Sequence, residues 1–202
     1  MSISAEEVKK LRDMTGAGMM DAKKALKKSN SNLQEAVKYL REKGLADSKK
    51  RAAKDANEGT IGDYIHLQQG RAVAGVLVEL ACETDFVAKS EDFKSAANQI
   101  AMHIAAMKPS YLNIDDIPKS KIEEEKEIII KQTKNDEKPK EVIEKIVEGK
   151  INSFYSDTVL SEQIFCNPEI YEGTVGKMID EMSGKLGEKI FIKQFSHIEI
   201  GS

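Results

Sequence analysis

The sequence predicts an α+β protein, with an N-terminal three-helix domain followed by an antiparallel sheet packed with helices. Three observations carry this. The first 45 residues hold three helical apolar stripes, each with its own start or stop signal. Two β-branched and apolar runs meet at Gln68-Gln69-Gly70-Arg71, and a third closes the chain at Lys189-Ile190-Phe191-Ile192 and beyond. Between these runs the apolar residues return to helical spacing.

The first helix opens on Ser4-Ala5-Glu6-Glu7, a capping box with Ser4 as cap and Glu7 reaching back. Val8 and Leu11 give its apolar face, and Thr15-Gly16-Ala17-Gly18 breaks it. Met19, Ala22, Ala25 and Leu26 mark a second helix, ended by the turn cluster Ser29-Asn30-Ser31-Asn32. Asn32 caps a third, with Leu33, Ala36, Val37 and Leu40 as its stripe and Gly44 as its expected terminator. Met19 and Met20 read either as core filler or as an adaptable contact surface.

Residues 46–58 are expected to be a charged linker. They carry Lys49, Lys50, Arg51 and Lys54 and almost no apolar residues. A basic patch for RNA would also read this way, but no aromatic residues interleave with the charges. Residues 59–202 are expected to form an α+β core. Ile61, Tyr64, Ile65 and Leu67 suggest a strand that pairs back as a hairpin with the run from Val73 to Leu80. From Phe93 a helical stripe steps through Ala97, Ile100, Ile104 and Met107, with Glu91 and Asp92 in its first turn and Pro109 after its end. His103 is expected on the flank of this stripe, neither centrally buried nor fully exposed. Ser120-Lys121-Ile122-Glu123 reads as another capping box, opening a helix with Ile122, Ile128 and Ile129. A break is expected at Asn135-Asp136-Glu137-Lys138, then a helix from Pro139 with Val142, Ile143, Ile146 and Val147, interrupted at Gly149. Residues 158–165 read as irregular, and Thr174 as the cap of a helix with Val175, Met178, Ile179 and Met182. In the last strand Ile190, Ile192, Ile198 and Ile200 share one parity while Phe191 and Phe195 take the other. Such a strand wants cover on both faces, from a helix layer and from a second subunit.

The connection Glu83-Thr84-Asp85-Phe86-Val87 lies between the second strand and the helix that follows. A Phe there is either folded back as a plug or held out as a probe.

Composition bounds the function. The chain has 202 residues, 40% hydrophobic and 32% charged, with a net charge of −3. That balance gives no general attraction to nucleic acid or to an anionic membrane. No apolar run approaches the ~18 residues of a membrane span, and residues 1–7 lack the pattern of a signal peptide. Cys82 and Cys166 stand far apart, which excludes a disulfide framework and a Cys-based zinc site. A cytoplasmic location is expected. No catalytic constellation and no phosphate-binding glycine loop appear, and no cofactor or metal of its own is expected. The pattern favours a binding protein over an enzyme.

Two long motifs then carry a resemblance. Leu11-Arg12-Asp13-Met14-Thr15-Gly16-Ala17-Gly18-Met19-Met20-Asp21-Ala22-Lys23-Lys24-Ala25-Leu26 is similar to the N-terminal signature of the elongation factor Ts family. Glu83-Thr84-Asp85-Phe86-Val87-Ala88 resembles the second signature, and residues 100–106 and Gly149-Lys150 resemble further blocks. The match runs essentially from end to end. The resemblance implies a nucleotide exchange factor for the GTPase elongation factor Tu, with residues 1–45 as a ubiquitin-associated-like domain. Carried over by position, Arg12, Met19, Met20 and His103 would contact the partner. Thr84, Asp85, Phe86 and Val87 would dislocate its magnesium ion, which makes Phe86 a probe. Longer members repeat the core module and add a coiled coil and a C-terminal helix. This chain has one core copy and resembles the short members, which pair as homodimers through the core sheet. A generic three-helix interaction module and an RNA binder acting through residues 49–54 are the rival classes.

Overall fold

The computed structural model describes residues 3–51, 54–133 and 140–201. Among them the helices are Ala5–Thr15 (α1), Met19–Lys28 (α2), Leu33–Arg51 (α3), Asp85–Ala88 (α4), Glu91–Met107 (α5), Lys119–Thr133 (α6), Lys140–Thr158 (α7) and Val175–Leu186 (α8). Strands Glu58–Gln68 (β1), Arg71–Cys82 (β2) and Phe191–Glu199 (β3) form one sheet in the order β1-β2-β3. The protein is α+β, as its sequence predicts. Asn135-Asp136-Glu137-Lys138 and Pro139 lie outside the described residues, as do the side chains of Lys49 and Lys50.

Contacts divide the chain into two compact units. The first comprises Met1–Thr60, Leu80–Phe93 and Met178–Phe191; the second comprises Ile61–Glu79, Lys94–Lys177 and Ile192–Ser202.

In the first unit, Ser4 Oγ accepts the Glu7 N–H at 3.1 Å and the Glu7 carboxylate accepts the Ser4 N–H at 2.8 Å. Two orphan donors of α1 are thereby satisfied. Asn32 Oδ1 starts α3 by accepting the N–H groups of Gln34 and Glu35 at 3.0 and 3.2 Å. Val8, Leu11, Ala22, Ala25, Leu26 and Ala36 form the three-helix core. Contrary to the expected stop, α3 continues through Gly44 to Arg51. Gly44 has a packing role instead. A Cβ placed on Gly184 of α8 would lie 2.9 Å from the Gly44 Cα, so the two helices approach backbone to backbone. The helix carries a glycine at about 1 kcal/mol relative to alanine, and the close contact is what that residue permits.

In the second unit, β1 meets α5 in the same way. A Cβ on Gly62 would fall 2.3 Å from the Ala97 carbonyl carbon. Val76 and Val78 of the sheet and Ala97, Ile100, Ala101 and Ile104 of α5 are buried. Gln69 (φ 52°) and Gly70 (φ 80°) make the expected two-residue turn between β1 and β2. The Ile200 N–H donates to Val73 O at 3.0 Å, placing β3 beside β2. Ile192 is buried but Ile198 and Ile200 are exposed, so cover on that face of β3 ends part-way along the strand.

Two further expectations are corrected here. Helix α6 begins at Lys119 because Pro118 O accepts the Lys121 and Ile122 N–H groups, leaving Ser120 inside the first turn and not at the cap. Helix α7 passes Gly149 unbroken to Thr158. Thr174 does cap α8, its Oγ1 accepting the Lys177 N–H at 3.3 Å.

Candidate functional site

The 84–87 segment is more ordered than a plain connection. Thr84 is extended (φ −127°, ψ 152°) and its Oγ1 accepts the Val87 N–H at 3.4 Å, capping the single helical turn α4. Val87 and Ala88 are buried and anchor this turn. Phe86, one residue earlier, is turned out and is 84% exposed. A plug would be buried, so that arrangement of Phe86 is excluded. Asp85 pairs with Lys89 one turn on, Oδ2 to Nζ 2.5 Å. The hydrogen bond from Lys89, followed by its charge, holds the Asp85 carboxyl below its usual range. Behind the turn, burial first and the Glu188 charge second push the Cys82 thiol up to about 11. Cys82 is therefore a neutral packing residue, donating from Sγ to Thr84 O at 3.2 Å.

Met19 and Met20 are 53% and 66% exposed at the start of α2, whose Ala22, Ala25 and Leu26 are buried. They are not core filler. Met14, at the end of α1, is exposed with them and was not singled out by sequence. The Arg12 side chain is half exposed, 3.9 Å from Asp13. These residues and the 84–87 turn all belong to the first compact unit.

His103 belongs to the second unit and is fully buried, not on a half-exposed flank. Its ring stacks on Phe165 at 5.3 Å and 11°. Nδ1 accepts the Cys166 N–H at 3.0 Å, so the ring proton sits on Nε2 and donates to Gln163 Oε1 at 3.0 Å. Gln163, itself buried, donates on to Asp157 O at 2.9 Å. Residues 159–166 close over the α5 flank that helical periodicity leaves open. Burial lowers the His103 pKa from the usual 6.5, against the opposing hydrogen bond to Gln163.

The whole chain can be set beside known proteins. The profile of the family described as "Elongation factor TS" matches residues 2–202. A protein named "Elongation factor Ts" from Fervidobacterium nodosum is 48% identical over 201 residues, covering 100% of both chains. Another of that name, from Syntrophus aciditrophicus, is 47% identical over 202 residues, covering 100% of this chain and 98% of its own length. This chain belongs to the elongation factor Ts family.

Membership in the elongation factor Ts family makes the chain a factor of translation elongation, and so of protein biosynthesis. The two stretches that carry the sequence resemblance fold differently within it. One is the α1–α2 hairpin with its exposed methionines, and the other is the capped turn that holds Phe86 out. Among the described residues no helix is long and apolar enough to cross a membrane. One group that sequence reasoning missed is Glu188, which sits in a short run after α8 with no periodic or motif signal. Its carboxylate holds the base of the 84–87 turn.

Proposed function

We propose that this chain is a guanine-nucleotide exchange factor for elongation factor Tu, working in the cytoplasm as a homodimer. It binds the GDP form of that GTPase and promotes GDP release, leaving a nucleotide-free complex that GTP resolves. The observation that carries the reading is Phe86, a large apolar side chain 84% exposed on a turn whose next two residues are buried. Water is an unfavourable place for that ring, and a partner site that buries it gains about 1.5–3 kcal/mol, or roughly ten- to a hundredfold.

The turn enters the partner beside its phosphate site. A GTPase holds GDP through phosphate contacts and Mg²⁺, whose charge offsets the phosphate oxygens. Thr84 starts the turn, Phe86 wedges, and Val87 anchors the wedge from behind. Asp85, kept ionised by Lys89, brings a negative charge against the phosphate side and helps to dislocate the Mg²⁺. Binding the empty form more tightly than the GDP form means that GDP weakens the factor by the same ratio. Arg12, Met19 and Met20 dock on the GTPase, the methionines adapting to its apolar surface. His103 acts on the interface only through the 163–166 loop that it holds, since both ring nitrogens are already engaged.

The test is stopped-flow release of labelled GDP from elongation factor Tu, with and without this protein. Faster release is expected, and unchanged release would sink the reading.

A further inference from the structure

Glu188 and Thr84 stand 104 residues apart, yet their groups meet within the first compact unit. Glu188 Oε2 accepts the N–H groups of Glu83 and Thr84, each at 3.1 Å. Glu188 Oε1 accepts the Thr84 hydroxyl at 2.6 Å. The grip is returned, because Glu83 Oε1 accepts the Lys189 N–H at 2.6 Å. Two dipeptides thus hold one another by exchanging carboxylates for backbone donors in both directions. Hydrogen bonds to ionised acceptors of this kind are roughly twice as strong as neutral ones.

Both carboxylates are braced. Glu83 Oε2 pairs with Lys54 Nζ at 2.7 Å, and this bond, before the Lys189 N–H, holds the Glu83 carboxyl below its usual range. Lys189 Nζ donates to Lys54 O at 2.7 Å. The Glu188 carbonyl accepts the Ser183 hydroxyl at 2.5 Å, tying Glu188 to the end of α8.

The consequence falls on Thr84. A hydroxyl has one proton and two lone pairs. Its proton is committed to Glu188, so a lone pair faces the Val87 N–H and caps α4. A helix of four residues cannot sustain itself, because nucleation is unfavourable and no propagation follows. Its position is set by its cap and by the burial of Val87 and Ala88.

We propose that Glu188, braced by Glu83 and Lys54, is the positioning residue of the 84–87 turn and preorganises Phe86 for the partner. This rests on the exchange reading above. A turn already held in its working geometry lowers the barrier of the step that uses it, while docking through Arg12, Met19 and Met20 is left to the α1–α2 hairpin.

The experiment compares full-length wild type, E188A, E188Q and F86A. Amide hydrogen exchange should show protection at Glu83 and Thr84 lost in E188A and partly kept in E188Q, which retains one acceptor oxygen. The maximal rate of GDP release from elongation factor Tu should fall about tenfold in E188A, the size of one hydrogen bond to a charged group. The concentration giving half the maximal rate should stay near wild type, with E188Q intermediate in rate. Wild-type release by E188A alongside slow release by F86A would overturn the proposal and leave the exchange reading intact. Wild-type release by both would remove Phe86 from the step, and the proposal with it, while release no faster with wild type than without any factor would overturn the exchange reading itself. A lower melting temperature with a raised half-maximal concentration and no rescue by E188Q would also overturn it, as a purely structural role.

Discussion

Phe86 keeps a large apolar ring in water while Val87 and Ala88 beside it are buried. Removing it should therefore leave the fold intact. Phe86→Ala is expected to change stability by about 0.5 kcal/mol or less, as at exposed sites generally, where a buried Phe would cost about 3–5 kcal/mol. GDP release should slow by roughly ten- to a hundredfold. A melting curve and a stopped-flow trace separate the two quantities, and a large loss of stability with normal release would reverse the assignment. His103 is the opposite kind of residue, with all its chemistry turned inward. Its neutral ring accepts from the Cys166 N–H, and protonating Nδ1 would set two donors face to face. Its folded-state pKa lies below the usual 6.5. The unfolded chain therefore binds the proton first as pH falls. The stabilisation is complete above about 6.5 and is lost as pH drops through the depressed value. His103→Gln should flatten the stability–pH profile below 6.5 and cost about 1–3 kcal/mol at pH 8, where Gln163 or the Cys166 N–H loses its partner. An unchanged slope in thermal melts from pH 8 to 5 would count against this. Helical periodicity put His103 on an open flank because the loop that covers it lies 60 residues away and has no periodic pattern of its own.

At the scale of elements, local signals were the legible ones. The Ser4–Glu7 box, the Asn32 and Thr174 caps and the Gln69-Gly70 turn each involve residues within three or four positions of one another, and each formed. Glycine was misread where its role is non-local. Gly44 resembles a terminator in sequence, but its lack of a side chain serves contact with Gly184, which only the fold supplies. The clamp from Glu188 was invisible for the same reason, since two ordinary glutamates carry no signal about each other. The glycine pair also makes an asymmetric prediction. A Cβ on Gly44 would have its nearest neighbour, the Gly184 Cα, at 3.8 Å, ordinary contact. Gly44→Ala should then stabilise by roughly 0.5–1 kcal/mol through helix entropy. A Cβ on Gly184 would meet the Gly44 Cα at 2.9 Å and its carbonyl carbon at 3.3 Å. Backbone cannot yield as a flexible side chain would, so Gly184→Ala should destabilise by about 1–3 kcal/mol. Urea melts of the two variants should move in opposite directions, and shifts of one sign would show that the helices can separate without cost.

At the scale of the whole molecule, the sheet of the second compact unit presents an apolar surface to account for. Ile61, Ile65 and Leu67 of β1, Leu77 of β2, and Ile198 and Ile200 at the end of β3 are each more than half exposed, and all belong to the second compact unit. Scattered exposed side chains need no explanation, but this many on three paired strands exceeds ordinary scatter. Cover by a second copy of the chain is the homodimer that the family resemblance implies. It also suits the strand chemistry, because an antiparallel sheet is stable with one face on helices and the other on another layer. A stable interface needs about 800 Å² from each partner, and six large aliphatic residues on a sheet are enough to form the centre of one. Equilibrium sedimentation at micromolar concentration should therefore give about twice the 22.4 kDa of one chain. Leu77 is the informative position, being exposed on the central strand between buried Val76 and Val78. Leu77→Glu puts an unpaired charge into the interface while leaving the inward face of β2 untouched, so it should shift the sample to the single-chain mass with little change in far-ultraviolet circular dichroism. GDP release measured on that monomer would then show whether one copy of the 84–87 turn is sufficient. A wild-type sample sedimenting only at the single-chain mass would remove the dimer and leave the exposed face to some other partner.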